Sequence, residues 1–208
     1  MKSILIHPAY LPNIITVAEI TQADKVVFET HDNYQKQSYR NRTYIATSNG
    51  SLLLNIPVRH HKIAGKHKKT SEAFIENSFL WQRQHWRSIQ IAYRTSPFFE
   101  FYEDDFEGLF NEKYEKLMDF NLASISAVLE ALQVDIVQTN SSAYENETEF
   151  ADKRYLIDAK RKVNVTPPPY AQVFQDKHDF IPNLSVLDLL FNEGPNALTY
   201  LENLNLKI

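Results

Sequence analysis

The stretch from Ser3 to Glu29 most restricts what this chain can become. Ser3–Ile6 is a short apolar run that ends at His7-Pro8, and Lys25–Glu29 is strand-like again. Between them Asn13 is placed to cap a helix carrying Ile14, Val17, Ala18 and Thr21 on one side. A strand–helix–strand unit makes the fold α/β. Further on, Thr43–Thr47 and Ser51–Ile56 flank Ser48-Asn49-Gly50, and Asn-Gly between strand-like runs marks a hairpin. The expected sheet takes in Ser3–Ile6, Lys25–Glu29 and Ser51–Ile56.

From Trp81 the period changes to that of helices. Trp81–Arg94 stops before Pro97, Phe98–Glu107 is short and aromatic, and Glu112–Leu132 carries Tyr114, Met118, Asn121, Ile125, Val128 and Leu132 at helical spacing. Val134–Thr139 returns to strand alternation, and a further helix is expected over Glu147–Arg161. Pro167-Pro168-Pro169 forces an extended connection. Ser185 and Asp188 have the spacing of a capping box, and Gly194-Pro195 separates the last two helices. With no repeat or linker to divide it, the chain reads as one domain over residues 1–208. Residues 1–80 are sheet-rich, and 81–208 are mainly helical with at least one further strand.

Composition excludes several chemistries. The 208 residues contain no cysteine, so thiolate catalysis, disulfides and cysteine-ligated zinc are ruled out. A net charge of -4 gives no general attraction to nucleic acid, and no nucleic-acid partner is expected. The apolar run before His7 is too short for a signal peptide, and no run is long enough for a membrane span, so a cytoplasmic protein is expected. The four glycines build no dinucleotide fingerprint, phosphate loop or serine elbow.

Three constellations remain. In HPAYLPN, residues 7–13, amides at the helix start near Asn13 can bind an anion beside His7 and Tyr10; the alternative is a connection merely stiffened by Pro8 and Pro12. In YQKQSYRNRTY, residues 34–44, an extended backbone puts Lys36, Arg40 and Arg42 on one face as an anion clamp and Asn41 on the other; the alternative is a charged edge strand. In WQRQHWRSIQIAYRTSPFF, helical spacing turns His85 inward with Trp81 and Ile89, as a core histidine or a general acid or base. Asn121 lies in an apolar stripe, as a register pin or a substrate contact. Arg59–Lys69 is a basic loop whose His60, His61 and His67 lack zinc spacing, and no metal site is expected.

Over nearly its whole length the chain resembles the WbqC-like family of bacterial proteins, in the short form common in Bacteroidetes. The resemblance rests on HPAYLPN, YQKQSYRNR, the Asn-Gly hairpin followed by LNIPV, WQRQHWRSIQIAYRTSPFFEFYEDD, DFN and FIPNLSVLDLLFNEGP. It implies work in O-antigen or other surface-polysaccharide biosynthesis, on a nucleotide-activated sugar or an acyl or aminoacyl donor. The expectation is a transferase-like enzyme with an anionic small-molecule substrate. Lys36, Arg40 and Arg42 would hold phosphate, Tyr10 and Asn41 would orient the acceptor, and His85 or His7 would move the proton. Two alternatives stay open: a nucleotidyltransferase-like α/β enzyme, although HPAYLPN lacks the Gly-His of that turn, and a non-catalytic assembly protein of a biosynthetic complex. Neither the residues nor the resemblance names a cofactor or an oligomeric state.

Overall fold

The computed structural model describes residues 2–59 and 68–206. Its strands are β1 (Ser3–Ile6), β2 (Lys25–Phe28), β3 (Arg42–Thr47), β4 (Gly50–Asn55), β5 (Val137–Asn140) and β6 (Ala151–Asp152). Its helices are α1 (Ile14–Thr21), α2 (Trp81–Tyr93), α3 (Phe99–Asn111), α4 (Leu117–Ala131), α5 (Val186–Glu193) and α6 (Asn196–Asn203). Because α1 carries the chain back to the starting edge, β1 and β2 pair in parallel, Ser3 against Lys25 and Ile6 against Phe28. Two strands from far along the chain complete a parallel sheet in the order β5-β2-β1-β6.

α1 starts at its predicted cap, where the Asn13 side chain accepts from the Thr16 amide at 2.9 Å. Ile14 through Ile20 are all buried, because α1 also packs against α5 and α6. The hairpin has the predicted Asn-Gly turn, with Gly50 at φ +95°, where a side chain would be strained. It corrects the expected sheet, however, since β3 and β4 form a separate antiparallel pair. The neighbours β4 would need are already taken: β5 flanks β2 and β6 flanks β1. β3 instead accepts the Ser185 amide at Tyr44 O (2.8 Å) and gives the Ala46 amide to the Tyr93 hydroxyl (3.1 Å).

Four further expectations are corrected. α3 continues to Asn111. α4 begins at Leu117 because the preceding backbone is extended against residues 73–75, with Ile75 N donating to Glu115 O and Leu117 N to Ala73 O. No helix spans Glu147–Arg161; Ala151–Asp152 pairs with β1, and Arg154–Ile157 is a single 3₁₀ turn. Sheet pairing there overrides helix propensity. Ser185 caps α5 by accepting from Leu187 N, but Asp188 does not close the box; its carboxylate takes the Tyr170 hydroxyl and the Gln172 amide. Gly194 ends α5 at φ +53°, where a Cβ would meet the Phe98 ring at 2.5 Å. No described helix is long and apolar enough to cross a membrane.

Candidate functional site

Side chains that follow parallel strands gather at the carboxyl edge of the sheet, the favoured ligand position in open α/β sheets. His7 follows β1, Glu29 follows β2, and Asp152 ends β6. The loop after β2 brings in Asp32, and a cleft of about 620 Å³ opens there, lined by His7, Asp32, Gln35, Arg40, Lys69, Tyr144, Arg154, Tyr155 and Arg161 among others.

The floor of this cleft is a buried polar group. Arg40 is 1% exposed and pairs with Asp32 through Nη2. The same Nη2 lies 3.3 Å from Nε2 of His7, whose Nδ1 is 3.7 Å from Asp32 Oδ2. Burial first, and the Arg40 charge second, lower the His7 pKa to about 4, so the ring is neutral near pH 7. A guanidinium can only donate, which makes Nε2 the acceptor and puts the ring proton on Nδ1. His7 Nδ1–H faces the Glu29 carbonyl without a close bond, and among the described residues Asp32 Oδ1 and Arg40 Nε have no hydrogen-bond partner. Buried polar atoms are nearly always paired, so two unused atoms on residues lining one cleft mark it as a place where a ligand completes the bonding.

The cations around this floor differ in availability. Arg154 is occupied: it grips Asp152 through Nε (3.0 Å) and Nη2 (2.7 Å) and donates to the Glu145 and Asn146 carbonyls. That grip holds the Asp152 carboxyl below its usual range. Lys69 Nζ donates to His31 O at 3.0 Å, and Arg161 lies over the Tyr155 ring at 4.4 Å. Both can turn a charge toward an anion.

Lys36, Arg40 and Arg42 do not form one strip, which corrects the extended-strand reading. Gln37 adopts φ +59°, the backbone turns, and β3 begins only at Arg42. Arg40 therefore faces the carboxyl-edge cleft, while Lys36, Asn41 and Arg42 line a second cleft of about 560 Å³ on the other side of the same segment. Residues 33–42 are a partition between two clefts.

Of the other predicted site residues, Tyr10, His85 and Asn121 lie behind this partition, whereas Asn13 lines a separate cleft of about 220 Å³. Tyr10 is fully buried; its hydroxyl bonds to Nδ1 of His85 at 2.9 Å, and its amide donates to Tyr39 O. Burial pushes the Tyr10 pKa well above its usual range and lowers that of His85 to about 4. His85 packs against Tyr10 and Trp81 and lines neither cleft. Asn121 is inaccessible and donates to the carbonyls of Pro8 (3.2 Å) and Arg40 (2.8 Å). Asn13 is occupied as the α1 cap. The opening turn is held from several sides: Leu11, at φ +37°, accepts at its carbonyl from Thr43 Oγ1 (2.9 Å) and Ser185 Oγ (3.1 Å). A strained residue persists where its surroundings hold it this firmly.

The WbqC-like protein family matches residues 7–167 and 149–200, which takes in the opening turn, the lining of both clefts and every strand except β1. The chain belongs to the WbqC-like family. A curated relative is "Uncharacterized protein Rv1507c" of Mycobacterium tuberculosis, 25% identical over 96% of this chain and 97% of its own length. No solved structure matches.

Within this WbqC-like chain the sequence reading missed Asp32, Lys69 and Arg161. Asp32 carried a usable signal, since it lies just past a strand end in an α/β unit. Lys69 and Arg161 reach the cleft only through tertiary structure: Thr70 N donates to Asp32 O and Tyr34 N to Lys68 O, while the β6 pairing returns residues 151–161 to His7. His60, His61 and His67, read from the sequence as lacking zinc spacing, lie outside the described residues.

Proposed function

We propose that this protein is a transferase-like enzyme of bacterial surface-polysaccharide biosynthesis, using the carboxyl-edge cleft for an anionic donor such as a nucleotide-activated sugar or an acyl or aminoacyl donor. The observation that carries this reading is the buried His7–Asp32–Arg40 group with its unpartnered Asp32 Oδ1 and Arg40 Nε. The polysaccharide setting is part of the proposal and comes from the resemblance to the WbqC-like family, of which the chain is a member.

In this reading Asp32 Oδ1 accepts the proton of an acceptor hydroxyl as its oxygen bonds to the donor carbon. The bond from that carbon to the leaving group breaks, and the leaving group departs with the electron pair. Lys69 and Arg161 neutralise its negative charge, and His7 Nδ1–H donates to the oxygen where charge develops. Arg40 pairs with Asp32 and fixes the His7 tautomer.

The test is calorimetric titration and thermal shift with nucleotide-sugars and acyl donors, followed by assay of leaving-group release. A true donor at 100 times its dissociation constant stabilises by about 2.7 kcal/mol. Asp32→Asn should bind the donor and lose turnover by about 10²–10⁴-fold, the usual contribution of a general base. Donor binding without turnover by the wild-type protein favours an assembly or binding role. No donor binding at all overturns the reading.

A further inference from the structure

We propose that the second cleft, on the opposite face of the partition, is a binding site for an oxyanion carried on an aromatic or apolar body. Its lining has three cations, Lys36, Arg42 and Arg59, against one carboxylate, Glu76. Arg59 is only loosely engaged, 3.9 Å from Glu76 and 4.0 Å from Glu115. Among the described residues no carboxylate lies within ion-pair distance of Lys36 or Arg42, and Arg42 Nε is buried without a partner. An excess of positive charge in a concave site favours an anion, and the forked arginine donors match a phosphate or carboxylate.

The rest of the cleft defines what bears the anion. Tyr34, Pro57 and Phe79 supply an apolar wall, and Phe79 is 62% exposed although it lies at a pocket mouth. A large aromatic side chain left open beside cations suits stacking against a ring. Asn41 adds polar selectivity. Its Nδ2 is used on Asn55 Oδ1 (3.1 Å) and Ile56 O (3.0 Å), so its amide orientation is set and its unpartnered Oδ1 can accept from a ligand hydroxyl or N–H. This binding site stands on its own observations and does not require turnover in the other cleft.

The probes are phenyl phosphate, inorganic phosphate and benzyl alcohol, titrated calorimetrically into the whole protein. Phenyl phosphate should bind saturably with one site, inorganic phosphate at least tenfold more weakly, and benzyl alcohol not measurably. Lys36→Gln and Arg42→Gln should each weaken phenyl phosphate about tenfold or more, as expected for one lost charge-assisted hydrogen bond. Phe79→Ala should weaken phenyl phosphate and leave inorganic phosphate unchanged. Lys69→Gln, in the other cleft, should change neither. Lys36 and Phe79 are exposed, so their variants remain folded and informative even if Arg42→Gln does not. Absence of saturable phenyl phosphate binding overturns the proposal. So does an affinity that falls in Lys69→Gln but not in Lys36→Gln, because the probe then sits in the carboxyl-edge cleft.

Discussion

Nε2 of His7 lies 3.3 Å from Nη2 of Arg40, and that single contact decides which nitrogen of the ring carries its proton. It also sets a pH dependence. The pKa values of His7 and His85 are both lowered to about 4, the first by burial and then Arg40, the second by burial. In the unfolded chain each histidine protonates near 6.5. Between those values the unfolded state binds protons that the folded state does not, so stability is full above about pH 6.5 and falls as pH drops toward 4. Each group contributes up to about 3 kcal/mol. Urea denaturation at several pH values should show this loss, and His7→Gln or His85→Gln should flatten it. Unchanged slopes in both variants would contradict the buried-neutral assignment.

Asp32 should be the more sensitive partner of the floor group. Removing it leaves Arg40, 1% exposed, as an uncompensated buried charge, which costs about 3–5 kcal/mol. Asp32→Ala should therefore lower the urea midpoint strongly, and Asp32→Ala combined with Arg40→Met should be less destabilised than the sum of the single changes. Additive effects in that cycle would mean that the pair is not coupled in solution.

Asn121 ties the opening turn to the partition, since one amide nitrogen serves the carbonyls of Pro8 and Arg40. Asn121→Leu leaves both carbonyls buried and unpaired, at about 1–3 kcal/mol each. Asn121→Asp places an acceptor against two acceptors and should be at least as damaging. A midpoint within experimental error of the wild type would show that the turn is held without it.

Local signals carried well where local forces decide. The Asn13 cap, the Asn49-Gly50 turn and the inward side of α2 follow from cap chemistry, turn geometry and helical period. β6 was illegible because two residues have no period, and only β1 makes them a strand. The cation strip failed on the backbone of residues 36–41: Gln37 at φ +59° divides Lys36 from Arg40, and a second turn, closed by Asn41 N donating to Ser38 O, divides Arg40 from Arg42; nothing about a glutamine announces a left-handed residue. The carboxyl-edge cleft was half legible. His7 lies in a motif that reads as a turn, whereas the approach of Lys69 and Arg161 depends on contacts between distant segments.

His85 and His7 can be separated by their failures. His85 lines neither cleft, its Nδ1 takes the Tyr10 hydroxyl, and its ring is enclosed by Tyr10 and Trp81. That makes it a positioning residue for the opening turn. Tyr10→Phe removes the hydroxyl and leaves His85 Nδ1 unpaired, which should cost about 1–3 kcal/mol of stability while donor affinity stays within a few-fold. His85→Gln, which can keep a bond to the Tyr10 hydroxyl, should be milder in stability and close to wild type in KM. His7→Gln loses the ring beside the Arg40–Asp32 pair, so its turnover should fall with little change in melting temperature at pH 7. If instead His85→Gln lowers kcat by 10²–10⁴-fold with KM unchanged, the proton passes through His85 and the reacting centre lies on its side of the partition.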